Sequence, residues 1–150
     1  MGVLTDYFRA PDAAVVVREL EAREGFRPDF DGVQAKRIDP GVVLGGLVAA
    51  LNGEPWRVDL VEETLVWPTE SADPADQQDG PWVTELGDAT RDTLAGADEG
   101  RLPAAVEEWS RSEELDGADP SDLLPLAEEL IALARRAREA GERLYCWICL

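Results

Sequence analysis

Cys146-Trp147-Ile148-Cys149 is the one spacing in this chain that names a chemistry by itself. A CxxC pair exchanges disulfides when it opens a helix whose dipole lowers a thiol pKa, and it is half of a zinc site when two more ligands exist. The sequence meets neither condition. Arg143 to Leu150 is apolar on both faces and reads as a strand, where residues three apart point to opposite sides. The chain has no histidine and no further cysteine. The pair is therefore read as two small residues of a core strand.

Carboxylates are the other reactive groups in quantity. Glu62-Glu63, Glu107-Glu108, Glu113-Glu114 and Glu128-Glu129 are adjacent pairs, which on a helix or strand do not share a face, so none is a ready acid/base dyad. A glycosidase-type pair would have to be assembled by the fold. Asp73, Asp76 and Asp79 recur at every third residue, without the glycine and terminal glutamate of a calcium loop, and read as solvated charge. Of the five tryptophans, Trp109 and Trp147 fit a core. Trp56, Trp67 and Trp82 each adjoin a proline (Pro55, Pro68, Pro81), where they could pack sheet ends or line a groove with anchoring aromatics.

Absences narrow the function further. Without histidine there is no Ser-His-Asp or Cys-His arrangement and no commonest metal ligand. Lys36 is the single candidate for Schiff-base chemistry, beside 13 arginines. The reading leans against an enzyme, with no cofactor and no metal. The net charge of −18 is concentrated: residues 62–129 hold 20 Asp and Glu against Arg91, Arg101 and Arg111. Such a field opposes nucleic acid, whose phosphates need a basic surface, and favours a basic protein. No apolar run approaches the ~20 residues of a membrane span. The opening residues lack the basic, then apolar, pattern of a secretory signal, so a cytoplasmic location is expected.

The elements that must position these groups follow from periodicity and punctuation. Val3 to Phe8 predicts a strand, and Pro11 to Gly25 a helix with Ala13, Val16, Val17 and Leu20 on one face. Asp31-Gly32 signals a turn before a short run, Val33 to Ile38. Asp39-Pro40 predicts a helix start, with a carboxylate N-cap and proline at the first position, and Asn52-Gly53 its end. Gly45 and Gly46 inside it imply close packing. Trp56 to Leu60 alternates as a strand does, and Leu65 to Trp67 continues the sheet. Pro68 to Pro81 is a long acidic loop. Two short amphipathic helices follow over Leu86 to Leu94 and Leu102 to Trp109. The last helix has Asp122 as N-cap, Pro125 in its third position, a stripe of Leu123, Leu126, Leu130, Leu133 and Ala137, and Gly141 past its end.

In this order the motifs resemble those of YfbM-like proteins, a bacterial α+β family of uncharacterised function. The matching stretches are Met1-Gly2-Val3-Leu4-Thr5-Asp6-Tyr7-Phe8 before a helix, and Ile38-Asp39 leading a helix that closes on Asn52-Gly53. Gly80-Pro81-Trp82-Val83-Thr84-Glu85-Leu86 leads two short helices, and Ala137-Arg138-Glu139-Ala140-Gly141 precedes the final strand. Members often carry tryptophan and histidine in the second helix, where Gly41 to Leu51 has neither. The resemblance implies a fold and no catalytic residues.

These readings combine into an α+β fold in a single domain over 1–150. A small mixed sheet of four or five strands packs with four or five helices, and the long C-terminal helix leads into a central C-terminal strand. The function expected is an acidic, non-enzymatic binding module for a basic protein partner, of immunity or antitoxin type. Its candidate contacts are Trp56, Glu62, Glu63, Trp67, Glu70, Asp73, Asp76 and Trp82. The alternative is a small-molecule-binding protein or carboxylate-dependent enzyme, with the same three tryptophans walling buried acids. A third reading assigns the charge to solubility in a saline host, in which case acids should be spread evenly.

Overall fold

Leu4–Ala10 (β1) and Arg143–Cys149 (β5) are the two longest strands, and each is buried along most of its length. They pair antiparallel from Leu4↔Cys149 to Ala10↔Arg143. A computed structural model describes residues 3–69 and 80–150 of the chain. Around the β1–β5 pair, Gly32–Gln34 (β2), Glu63–Trp67 (β3) and Trp82–Leu86 (β4) complete a five-stranded sheet in the order β2-β1-β5-β4-β3. The last strand is thus central, as its two apolar faces require. The fold is α+β, but every pairing is antiparallel where a mixed sheet was expected. The cause is visible between β1 and β2. After the helix Ala13–Ala22 (α1), residues 23–31 carry the chain back to the end of β1 that it left, and Gly32 meets Phe8.

The helices divide between the sheet faces. α1 covers Phe8, Ala10, Val83, Tyr145 and Trp147 with Val16 and Leu20. The other face carries Tyr7, Leu86, Leu144 and Cys146 under Gly45–Asn52 (α2), Asp88–Ala95 (α3), Leu102–Ser110 (α4) and Pro120–Ala140 (α5). Cys146 is buried on this side, while Cys149 packs at the edge of the α1 cluster, and both are free thiols. Burial pushes the Cys146 thiol upward, away from nucleophilic use.

α2 is preceded by a π-helical turn, Pro40–Leu44, whose Asp39 cap accepts a hydrogen bond from Val42 N at 2.8 Å. The wider turn frees carbonyls, and two indoles use them: Trp56 Nε1 donates to Gly41 O at 3.0 Å and Trp109 Nε1 to Val43 O at 2.7 Å. The adjacent glycines make room. A Cβ on Gly45 would lie 2.8 Å from Trp56 Nε1, and one on Gly46 would lie 3.1 Å from Trp109 Cδ1. Trp56 is 43% exposed and has space to turn, whereas Trp109, at 2%, has none. Gly45→Ala should therefore fall within about 0.5 kcal/mol of wild type, as helix propensity offsets the lost indole contact. Gly46→Ala should cost about 1–2 kcal/mol despite the same gain in propensity. Urea unfolding of the two variants, compared directly, checks the difference.

Two local expectations are corrected, and one short run is resolved. Trp56 to Leu60 is not a strand: β3 already forms that sheet edge, Val58 is 73% exposed, and Trp56 turns back to the π-turn. Trp82–Leu86 is a strand ahead of the helix expected to start at Leu86, and the helix begins at Asp88. The run Val33 to Ile38 is a strand only to Gln34, because beyond it Thr5 exchanges hydrogen bonds with Ala35 O and Ile38 N and folds the segment into a turn.

α5 also starts earlier than expected. Asp119 caps it through Ser121 N at 2.9 Å with Pro120 in the first turn, so Pro125 sits inside the helix and Ser121 O lacks its usual donor. Asp119 reads as a cap as readily as Asp122, and proline at the first helical position decides between them. The far end fits, with Gly141 at φ +68°.

Candidate functional site

The expected contact residues fall into separate places. Glu70, Asp73, Asp76 and most of the acidic loop over 68–81 lie outside the described residues. In β3 the extra residue of a bulge between Leu65 and Trp67 turns both Val66 and Trp67 towards the α1 cluster, and Trp67 pairs with Val83. Trp82 pairs with Ile148, one residue out of step, and so belongs to the opposite face. Trp67 and Trp82 therefore do not wall one groove.

Trp56 and Glu63 do come together. Glu63 accepts a hydrogen bond from Thr84 Oγ1 at 3.0 Å, and its Oε2 lies 3.3 Å from where a Gly41 Cβ would be. Asp39 Oδ2 lies 3.9 Å from the same point, and the Gly41 carbonyl carries the Trp56 indole. The junction thus gathers two carboxylates and an indole around one glycine. Partial burial raises the Glu63 pKa, opposed by the Thr84 bond and reinforced by Asp39. Glu62 is elsewhere: its side chain covers Gly87, the N-cap of α3, where a Cβ would lie 2.9 Å from Glu62 Oε2.

The Glu63 shift fixes a sign. A carboxyl whose folded pKa exceeds its unfolded value binds more protons when native, so stability falls as pH rises through the window above the ordinary value. Glu63→Gln retains an acceptor for Thr84 and removes the charge beside Asp39. It should raise the melting temperature at pH 7 and flatten its decline between pH 4.5 and 7. A lower melting temperature at pH 7 would show that the carboxylate is needed as such.

Uncompensated acid is densest on the helical layer. From Glu107 to Glu129 there are nine acids against Arg111. All nine are exposed, and among the described residues only Glu107 has a salt bridge, to Arg111 at 2.9 Å. Several arginines elsewhere are committed. Arg9 and Arg136 hold Asp31, and Arg135 spans Ala95 O (3.0 Å), Ala97 O (2.9 Å) and Glu99 (3.1 Å) at the end of α3. Beside this surface a recess of about 370 Å³ opens between the α3–α4 connection and α5. Its floor is Leu102, Leu124 and Ile131, and its charged lining is Glu99, Glu128 and Arg135, which pairs with Glu99.

A further group was not read from the sequence. Asp6, on β1, is 6% exposed, and Arg27 from the loop after α1 forms an ion pair with it. Burial raises the Asp6 pKa against the pull of Arg27. The Arg27 guanidinium lies 5.6 Å from the centroid of the Trp147 ring, and Trp147 Nε1 donates to Gly25 O at 3.1 Å. An aspartate directly before Tyr7 and Phe8 in a strand was the available signal; its partner, 21 residues on in a loop, is a tertiary fact. Among the described residues no three His, Cys, Asp or Glu are placed to hold a metal, and no helix is long and apolar enough to cross a membrane.

No family model matches the chain, and neither does any curated protein. Among solved structures it is similar to a protein of unknown function, YfbM from Escherichia coli, at 15% identity over 97% of this chain and 99% of that chain, with a TM-score of 0.46. That protein is a member of the family whose motif order this sequence resembles, and its description assigns no activity.

Proposed function

We propose that this chain is a single-domain, cytoplasmic, non-enzymatic binding module that captures a basic protein partner through its helical layer. The observation that carries the reading is the run of nine exposed acids from Glu107 to Glu129, with one arginine among them, beside an apolar recess lined also by Glu99, Glu128 and Arg135. A mainly acidic surface beside an apolar socket, where only Glu99 is offset by Arg135, suits a basic partner that inserts an aliphatic or aromatic anchor. Complementary charge accelerates capture and makes it sensitive to salt, the property an immunity or antitoxin-type inhibitor exploits. The gathering of unpaired acids on α4 and the first half of α5 is also unlike the even spread that a saline host would select.

The test begins with a partner isolated at low salt from cells that make the protein. Replacing Glu108, Glu113, Glu114 and Asp122 by their amides leaves the Asp119 cap and the core untouched. Association of that partner should then slow by about tenfold or more at low salt, with the difference vanishing at high salt. An association rate indifferent to both salt and these substitutions would sink the proposal.

A second reading, a small-molecule site or carboxylate enzyme, is favoured by the Gly41 junction, where Trp56, Glu63 and Asp39 meet. Compounds that raise the melting temperature of the wild type but not of Glu63→Gln would support it. Compounds that stabilise both equally would count against it.

A further inference from the structure

The recess beside α5 runs along that helix. Leu124, Glu128, Ile131, Ala132 and Arg135 line it at i, i+4, i+7, i+8 and i+11, a single stripe about 16 Å long. Leu102 and the α3–α4 connection form the far wall. Arg135 bridges to that wall through Ala95 O, Ala97 O and Glu99, and so closes the groove at one end. Its volume of about 370 Å³ is more than twice the roughly 150 Å³ of a cavity that holds benzene, which is room for two large apolar side chains. Charge changes along the same axis. Asp119, Asp122, Glu128 and Glu129 belong to the start and first half of α5, and Glu128 faces the groove. The second half carries Arg135, Arg136 and Arg138, the first two paired with Glu99 and Asp31.

We propose that this groove seats an amphipathic helix of the basic partner, antiparallel to α5, with two apolar anchors inserted and its basic C-terminal half over Glu128. The inference rests on the reading of the helical layer as the partner surface, and adds the form and direction of the contacting segment. A helix offers anchors at i and i+4 or i+7, one or two turns apart, which fits a groove about three turns long. An extended segment would need an open strand edge for its backbone, and α5 has none. Cations of the partner gain little at the Arg135 end, where charge is already balanced, and most beside Glu128. The antiparallel setting puts those cations at the partner helix's own C-terminus, where its dipole also favours them.

Two fluorescein-labelled peptides of about five turns, each with leucines at i, i+4 and i+7, are the probes, and anisotropy is the readout. One is acidic in its first half and lysine-rich in its second; the other has that order reversed. At low salt the first should bind at least about tenfold more tightly than the second. Ala132→Phe fills the groove without changing charge and should weaken the first peptide about tenfold, while Glu128→Gln should weaken it about threefold. Proline at the centre of that peptide should abolish its binding. No binding by either peptide overturns the proposal, as does equal affinity for the two orders, for the proline-broken peptide or for Ala132→Phe. If Ala132→Phe does not fold, Glu128→Gln decides in its place, and an affinity unchanged by it overturns the proposal. The reading of the acidic surface fails separately, when association of the isolated partner ignores salt and the amide substitutions.

Discussion

Trp109→Ala is expected to remove about 4 kcal/mol of stability or more, a large share of the 5–15 kcal/mol available to an ordinary domain. The indole is 2% exposed, lies among the α2, α4 and α5 side chains, and sits over Gly46 with no space to yield. Its removal leaves a cavity that neighbouring helices cannot fill, because the glycine beneath it offers no side chain. It also strips Val43 O of its donor inside the π-turn, a buried acceptor whose loss alone costs about 1–3 kcal/mol. Trp109→Phe separates the two terms, since it keeps most of the volume and loses the N–H. Urea titration followed by circular dichroism should give a cost for alanine clearly above that for phenylalanine. Equal costs would mean that the hydrogen bond, not the packing, holds the layer.

Gly32→Ala carries the second large effect, from the opposite side of the sheet. A Cβ there would lie 2.4 Å from the Tyr7 carbonyl oxygen and 3.3 Å from Phe8 Cα. Both are backbone atoms of β1, held by β5 along seven pairs, so they cannot retreat. β2 must move instead, which breaks Asp6↔Gln34, Tyr7↔Val33 and Phe8↔Gly32 and exposes Val33. The expected loss is about 3 kcal/mol, the upper part of the range for overpacking. Hydrogen exchange would localise it: amides of β2 should lose protection while those of β4 and β5 keep theirs. Uniform loss across the sheet would show that β2 is coupled to the whole fold, and a loss under 1 kcal/mol that it is barely attached.

The parts of the fold that could be read were those whose local chemistry permits one answer. Arg143 to Leu150 is apolar on both faces, so it could only be central; Asp39-Pro40 and Gly141 mark helix ends by capping and by the left-handed conformation. Gly45 and Gly46 announced close neighbours, although only the structure names them as Trp56 and Trp109. Trp56 to Leu60 failed because alternation records a wish to be half-buried, and β3 had already taken the edge it would have joined. β4 was hidden behind Pro81 and the acidic stretch before it. Of the candidate contacts, Trp56 and Glu63 meet at the π-turn, Trp67 and Trp82 part because a bulge shifts one strand, and Glu62 sits over Gly87. Asp6 offered only the oddity of an aspartate within a strand; its partner Arg27 is connected to it by no spacing.

The sheet order has a consequence for how the protein is made. β1 and β4 are both complete within the first 86 residues, yet neither touches the other, and each waits for β5 to come between them. At roughly 5–20 residues per second, β1 leaves the ribosome several seconds before its long partner exists. Until then the nascent chain carries two unpaired, largely apolar strand edges, each an invitation to the wrong neighbour. The folding of this molecule is therefore timed by its last strand, and a chaperone that shields β1 and β4 from each other's copies during that interval should raise the yield more than any stabilising change in the finished fold.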